Sequence, residues 1–240
     1  MSSLNFFSLE NQSMIDVPKF FFAALSMFYS QMASATMRDS IHVSFSFYYG
    51  DDLLIPGKMH SDGTTIEFCK LYLTHVELIN RSGNGAVDKE KVHLIDLTSE
   101  VSQSWVIENH NSIEHAAIRF DLGIDSVLNT LGVFGGSLDP TNGMYWTWQS
   151  GYINFKLEGI RTSESGVTES FQFHLGGYRF PFNTLRSVSY NTSDHLIHFG
   201  IDVKYFLECA EEKGIEHVMS PGENAMEMTE VLEKSIFLSQ

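Results

Sequence analysis

Cysteine is scarce in this chain. Only Cys69 and Cys209 occur in 240 residues, which excludes a CxxC-type zinc site and a dense disulfide framework. One bridge and two separate buried thiols both remain open. Basic residues are also few, 15 against 30 acidic ones, for a formal charge of -15. A field of that sign repels phosphate backbones, so no nucleic acid partner is expected. No apolar run reaches the roughly 20 residues that a membrane-spanning helix needs, so no transmembrane segment is expected either. With five prolines, no Pro-rich linker, repeat or low-complexity tract divides the chain after residue 41. Catalytic signatures are missing as well: there is no G-x-S-x-G elbow, H-E-x-x-H, P-loop or Rossmann glycine fingerprint. The chain is therefore not expected to be an enzyme.

What is abundant is strand-forming material, with 43% hydrophobic residues, 19 Phe and 9 Tyr, enough for a substantial core. Alternation of apolar and polar residues from Ile41 to Gly50 predicts a half-buried strand, with a second over Ile66–Ile79 and a third over Val92–Leu97. Further strands are expected over Ala116–Gly123, Tyr152–Gly159, Glu169–Leu175 and His195–Val203, each bounded by Gly, Ser, Asn or Asp. This pattern predicts a mainly β protein, an antiparallel β-sandwich of immunoglobulin-like or jelly-roll-like type. Ser220-Pro221-Gly222-Glu223 has the order of an N-cap, a first-turn Pro and a Glu three residues on, predicting a short C-terminal helix. Ala225, Met228, Leu232 and Ile236 give that helix one apolar face.

Residues 1–35 read as a secretory leader. Lys19 precedes the apolar run Phe20–Tyr29, and Ala33-Ser34-Ala35 supplies a cleavage site. A start at Met14 gives more conventional proportions than one at Met1. Residues 36–240 are then a single exported domain, periplasmic or secreted.

The segment FDLGIDSVLNTLGVFGGSLDPTNGMYWTWQSGYINFKLEG, residues 120–159, holds three motifs in close order: G-I-D-S-x-x-N, L-D-P-x-x-G-M-x-W-x-W and G-Y-I-x-x-K-x-E-G. With LYLTHVELI, VHLIDL, FHLGGY and VMSPGENA, they resemble the MbnP-like copper-binding family across most of the mature chain. With two cysteines, the chain is closest to that family's cysteine-poor branch. The resemblance implies a secreted or periplasmic β protein that binds copper, with a di-haem cytochrome c peroxidase-like partner. In some relatives the partner oxidises a Trp to kynurenine, and Trp146 and Trp148 are the residues the resemblance points to here.

Residue chemistry adds candidate ligands. Met144, Trp146 and Trp148 alternate, so on a strand they share a face. Cu(I) is soft and accepts thioether and imidazole groups. His174, in FHLGGY beside two glycines, is the first histidine candidate, and His75 in YLTHVEL is the second. His217 and Met219 form a third, soft pair. An aromatic core layer and hydrogen-bonded structural histidines are the plainer readings of the same residues. Asp121, Asp125, Asp139, Asn129 and Asn142 lack EF-hand spacing and are read as turn formers. The alternative function is an exported binding module with Trp146, Trp148 and Tyr152 as an aromatic platform and no metal.

Overall fold

The computed structural model describes residues 40–108, 114–147 and 151–239, all within one compact unit spanning residues 39–240. The leader read over 1–35 lies outside the described residues. In chain order the strands are β1 (Ser40–Tyr49), β2 (Asp52–Leu53), β3 (Thr64–Asn80), β4 (Gly85–Val87), β5 (Val92–Asp96), β6 (Ser104–Glu108) and β7 (His115–Leu122). Helix α1 (Ser126–Leu131) follows, then β8 (Tyr145–Trp146), β9 (Gly151–Thr162), β10 (Thr168–Gly176), β11 (Tyr178–Arg179), β12 (Phe182–Asn183), β13 (Arg186–Asn191) and β14 (Leu196–Asp202). The chain closes with α2 (Val203–Glu212), β15 (His217–Val218), α3 (Glu223–Ser235) and β16 (Ile236–Ser239). Every strand read from alternation is present, and the protein is a mainly β sandwich.

Two sheets enclose the main core. The five-stranded sheet runs β16-β14-β1-β2, with β6 paired to β1. The nine-stranded sheet runs β13-β7-β3-β9-β10-β15, with β4, β5 and β8 attached. Phe45, Phe120, Phe155, Phe173 and Phe199 are buried together between the sheets, because alternation sends every second side chain of each strand to the same face.

The sheets are mixed rather than purely antiparallel, since β1 pairs β14 and β10 pairs β15 in parallel. Helix α2, which the strand pattern did not reveal, makes the first of these arrangements productive. Asp202 ends β14 and caps the helix by accepting from Tyr205 N at 3.0 Å. Val203, Phe206, Leu207 and Ala210 then face the core at helical spacing. Helix α3 begins at Glu223 with Gly222 as an N-cap that makes no side-chain bond, so Ser220 is not the cap and Pro221 is not its first residue. After α3 the chain returns as β16 to pair with β14. Both cysteines are free thiols, with Cys69 wholly buried.

The long strand β3 shapes the site. Leu71 pairs with both Ile95 and Phe155, and Leu73 with both His93 and Leu122. Strand β5 therefore lies across β3 from both β7 and β9, which follow each other along the same edge. A bulge between Thr74 and Glu77 accommodates the change, and His75 takes a left-handed φ of 51° there. Asn154 bridges the seam, accepting from Ile124 N at 2.9 Å and donating to Thr184 Oγ1 at 2.9 Å. A Cβ on Gly123 would lie 2.4 Å from Asn154 Cγ, and its φ is 110°, so only glycine fits this crossing.

Candidate metal centre on the outer sheet face

A second apolar cluster forms on the side of the nine-stranded sheet away from the main core, joining Tyr72, Ile124, Leu138, Met144, Trp146, Tyr152 and Ile153. The 124–147 segment folds over the sheet to make it. Asp125 caps α1 by accepting from Leu128 N at 2.7 Å, and Asp139 caps the next turn through Thr141 N at 2.9 Å. Asn129 donates to Ile124 O at 3.0 Å and accepts from Tyr152 N at 2.9 Å. Asn142 donates to Gly136 O and Ser137 O, each at 3.0 Å. These four residues thus act as turn and cap formers, while Asp121 receives Ser187 Oγ and His75.

Met144 and Trp146 are both buried in this cluster, with Met144 fully so. Met144 precedes and Trp146 ends the two-residue strand β8, whose Tyr145 and Trp146 pair with Tyr152 and Gly151. Trp148 lies outside the described residues. Trp146 rests on β10: a Cβ on Gly176 would meet its ring at 2.6 Å. Trp146 also lines a pocket of about 110 Å³ with Tyr152, Tyr178, Phe180, Phe182 and Pro221. The two glycines beside His174 thus serve two contacts, Gly176 under Trp146 and Gly177 under Phe182 O and Pro221.

His174 stands two residues before Gly176 on the same strand. Phe173 and Leu175 point into the main core, so His174 and Gly176 face the outer side. The ring is nearly buried, 7% exposed, and Nε2 lies 2.7 Å from Glu158 Oε1. Lys156 Nζ holds the same carboxylate oxygen at 3.2 Å. With Nε2–H donating to Glu158, Nδ1 carries the lone pair, and it bonds no described residue. A carboxylate behind one ring nitrogen with the other left open is the usual arrangement behind a metal-bound histidine. Burial lowers the His174 pKa below the ordinary 6.5, against the opposing pull of the Glu158 hydrogen bond, so the ring is neutral and able to coordinate at neutral pH.

Of the pair His217 and Met219, His217 begins the neighbouring strand β15 and Met219 follows its end. Gln172 pairs with His217 and Phe173 with Val218, and Val218 joins Phe173 in the core, so His217 is on the outer side. Met219 follows Val218, where the pairing with β10 ends, and its side chain is 43% exposed.

His75 is elsewhere. His174, Lys156 and Lys70 form one row across β10, β9 and β3, which separates His174 from β3 by two strand spacings, about 10 Å. His75 lies five residues farther along β3, roughly 15 Å on. No single ion, with bonds of about 2 Å to nitrogen, can bind both. Both His75 nitrogens already meet carboxylates, Nδ1 at 2.8 Å from Asp121 and Nε2 at 3.3 Å from Asp125. Sequence reasoning ranked the two histidines without seeing this difference. It also missed the link between Glu158 and His174, which only the β9–β10 pairing brings together. Among the described residues, no three His, Cys, Asp or Glu side chains are grouped to hold a metal.

One consequence concerns acid stability. Burial lowers the pKa of His60, His115 and His174 below 6.5. Between the unfolded and the lower folded value the unfolded chain binds more protons, so stability rises with pH there. The contribution is fully present above pH 6.5 and is lost as pH falls toward the folded values. Calorimetry should show Tm dropping between pH 7 and pH 5, with a shallower drop in His174→Gln. A flat Tm over that interval would refute the assignment.

No curated protein matches this chain. A solved structure of MbnP from Methylosinus trichosporium does, with a TM-score of 0.52 and 12% identity over 70% of this chain and 77% of that one. At that identity the likeness bears on the fold, and it agrees with the sandwich described above. The sequence profile of the MbnP family matches residues 38–223, well over half of the sequence, and the chain belongs to the MbnP family.

Proposed function

We propose that this is an exported copper-binding protein, not an enzyme, which holds copper on the outer face of the nine-stranded sheet for acquisition, storage or delivery. The observation that carries this reading is His174, clamped through Nε2 by Glu158 and open at Nδ1, on the strand against which Trp146 packs. Imidazole and thioether are donors suited to Cu(I), so His174 with Met219, and His217 at the strand edge, fit the ion as cargo. Met144 is fully buried in the same apolar cluster as Trp146 and serves packing rather than ligation. His75, with both nitrogens engaged, contributes to folding instead.

Family membership supports the further step that Trp146 or Trp148 is converted to kynurenine by a di-haem peroxidase-type partner. An indole offers only an N–H donor, whereas kynurenine offers an amine and a carbonyl. Oxidation would then supply the oxygen or nitrogen ligand that the described residues do not group together.

The experiment is intact mass and copper stoichiometry on protein exported from its native host and on protein made without the partner. Ring opening removes one carbon and adds one oxygen, so the native form should be about 4 Da heavier. It should bind one Cu(I) more tightly than the unmodified form. Neither form binding copper would favour the metal-free reading, in which the pocket beside Trp146 is an aromatic platform.

A further inference from the structure

Strand β10 is covered on its outer edge only at Gln172 and Phe173, by β15. Thr168–Phe171 pair with β9 on the inner side and meet no strand on the other side among the described residues. The C-terminal end of α2 and the turn after it face this open stretch across a groove of about 610 Å³. Its floor is apolar, formed by Phe171, Phe173, Leu207, Ala210 and Ile215. Glu169, Glu211 and Glu216 stand along its margin. Arg161 neutralises Glu211 at 2.9 Å, whereas Glu169 and Glu216 are exposed and form no ion pair among the described residues.

Helix α2 adds to the negative field. The C-terminal end of a helix carries partial negative charge and favours cations, yet the last turn of α2 holds Glu211 and Glu212 and no basic residue. The following Lys213 turns to Glu227, 2.7 Å away. The groove therefore combines an open strand edge, an apolar floor and a margin on which Glu169 and Glu216 carry charge without a paired cation among the described residues. A basic side chain entering it would relieve that repulsion.

We propose that this groove binds a basic, extended segment of another protein, which adds a strand beside Thr168–Phe171. Backbone bonds to the open edge would hold the segment, and side chains at alternate positions would set its specificity. Glu169 and Phe171 are two apart and so share a face. The bound segment should accordingly carry an apolar residue beside Phe171 and a Lys or Arg two positions away, near Glu169. The inference does not rest on the copper reading: the groove's floor lies on the core side of β10 and His174 on the other, and His217, which borders the groove at the strand edge, takes no part in the argument.

The test uses the full exported protein and the synthetic peptide acetyl-Lys-Thr-Val-Thr-Lys-amide, followed by amide chemical shifts. Saturable changes confined to residues 168–173 and 207–217 are expected. Binding should weaken at least about tenfold in the exposed double variant Glu169→Lys/Glu216→Lys, and by as much when the peptide is N-methylated along its backbone. Absence of saturation at millimolar peptide would overturn the proposal. So would equal binding of the Glu-Thr-Val-Thr-Glu counterpart, or undiminished binding of the N-methylated form, which would reduce the contact to charge alone.

Discussion

Replacing His174 with Ala should weaken Cu(I) binding by at least about 100-fold, while His75→Ala should change it less than threefold. The contrast follows from what each ring has free. His174 offers Nδ1 and is fixed by Glu158 on its far side, whereas His75 spends both nitrogens on Asp121 and Asp125. Glu158→Gln separates orientation from ligation. It keeps an acceptor oxygen but loses the charge, and removal of such outer carboxylates costs about 10–100-fold in metal affinity. Loss of the ligand itself should exceed that. Competition against a chromophoric Cu(I) chelator measures all three variants, and circular dichroism confirms that each remains folded. Equal losses in His174→Ala and His75→Ala would place the metal elsewhere.

The largest effect on stability is expected at Phe199. It is fully buried and stacks at 4.9 Å on Phe45, its register partner across the parallel β1–β14 pair. Phe120 and Tyr190 meet it edge-on at 5.3 and 4.9 Å. Phe199→Ala removes a ring at the point where the two sheets and the parallel crossover meet, leaving a cavity that close-packed neighbours cannot fill. The expected loss is about 3–5 kcal/mol. Phe180→Ala provides the control: that ring is 98% exposed, and its removal should fall within about 0.5 kcal/mol of neutral. Urea denaturation of both variants checks the pair. A small loss at Phe199 would mean that the crossover carries less of the fold than its packing indicates.

Much of this architecture is legible in the sequence because alternation is a local signal. Ile41–Tyr49 and Ile66–Ile79 declare their buried faces without reference to any partner. The parallel pairing of β1 with β14 is not legible, since alternation fixes which side chains are buried but not which strand lies alongside. Helix α2 was hidden for a different reason. The alternating run HLIHFGIDV reaches Val203, where the helix begins, and Asp202 serves both as the strand's last residue and as the helix cap. The apolar spacing of Val203, Phe206, Leu207 and Ala210, closed by Gly214, was a readable sign.

The candidate site divides along the same line. Motif order drew notice to Trp146 and His174, and the fold sets them on one face through Gly176. What distinguishes His174 from His75 is the carboxylate that each nitrogen meets, and those carboxylates come from other elements, Glu158 from β9, Asp121 from β7 and Asp125 from the cap of α1. Asp121 is 46 residues from His75 in sequence. Glu158 is 16 from His174, and the β9–β10 register brings it close. No spacing rule within one strand carries such information.

Histidine-selective NMR during Cu(I) titration of the natively exported protein addresses the central claim most directly. The ring nitrogens of His174 should shift in proportion to copper up to one equivalent, with Nδ1 moving most and His75 unchanged. Saturation of the protein with copper while the His174 signals stay in place would contradict the assignment of the metal to this face.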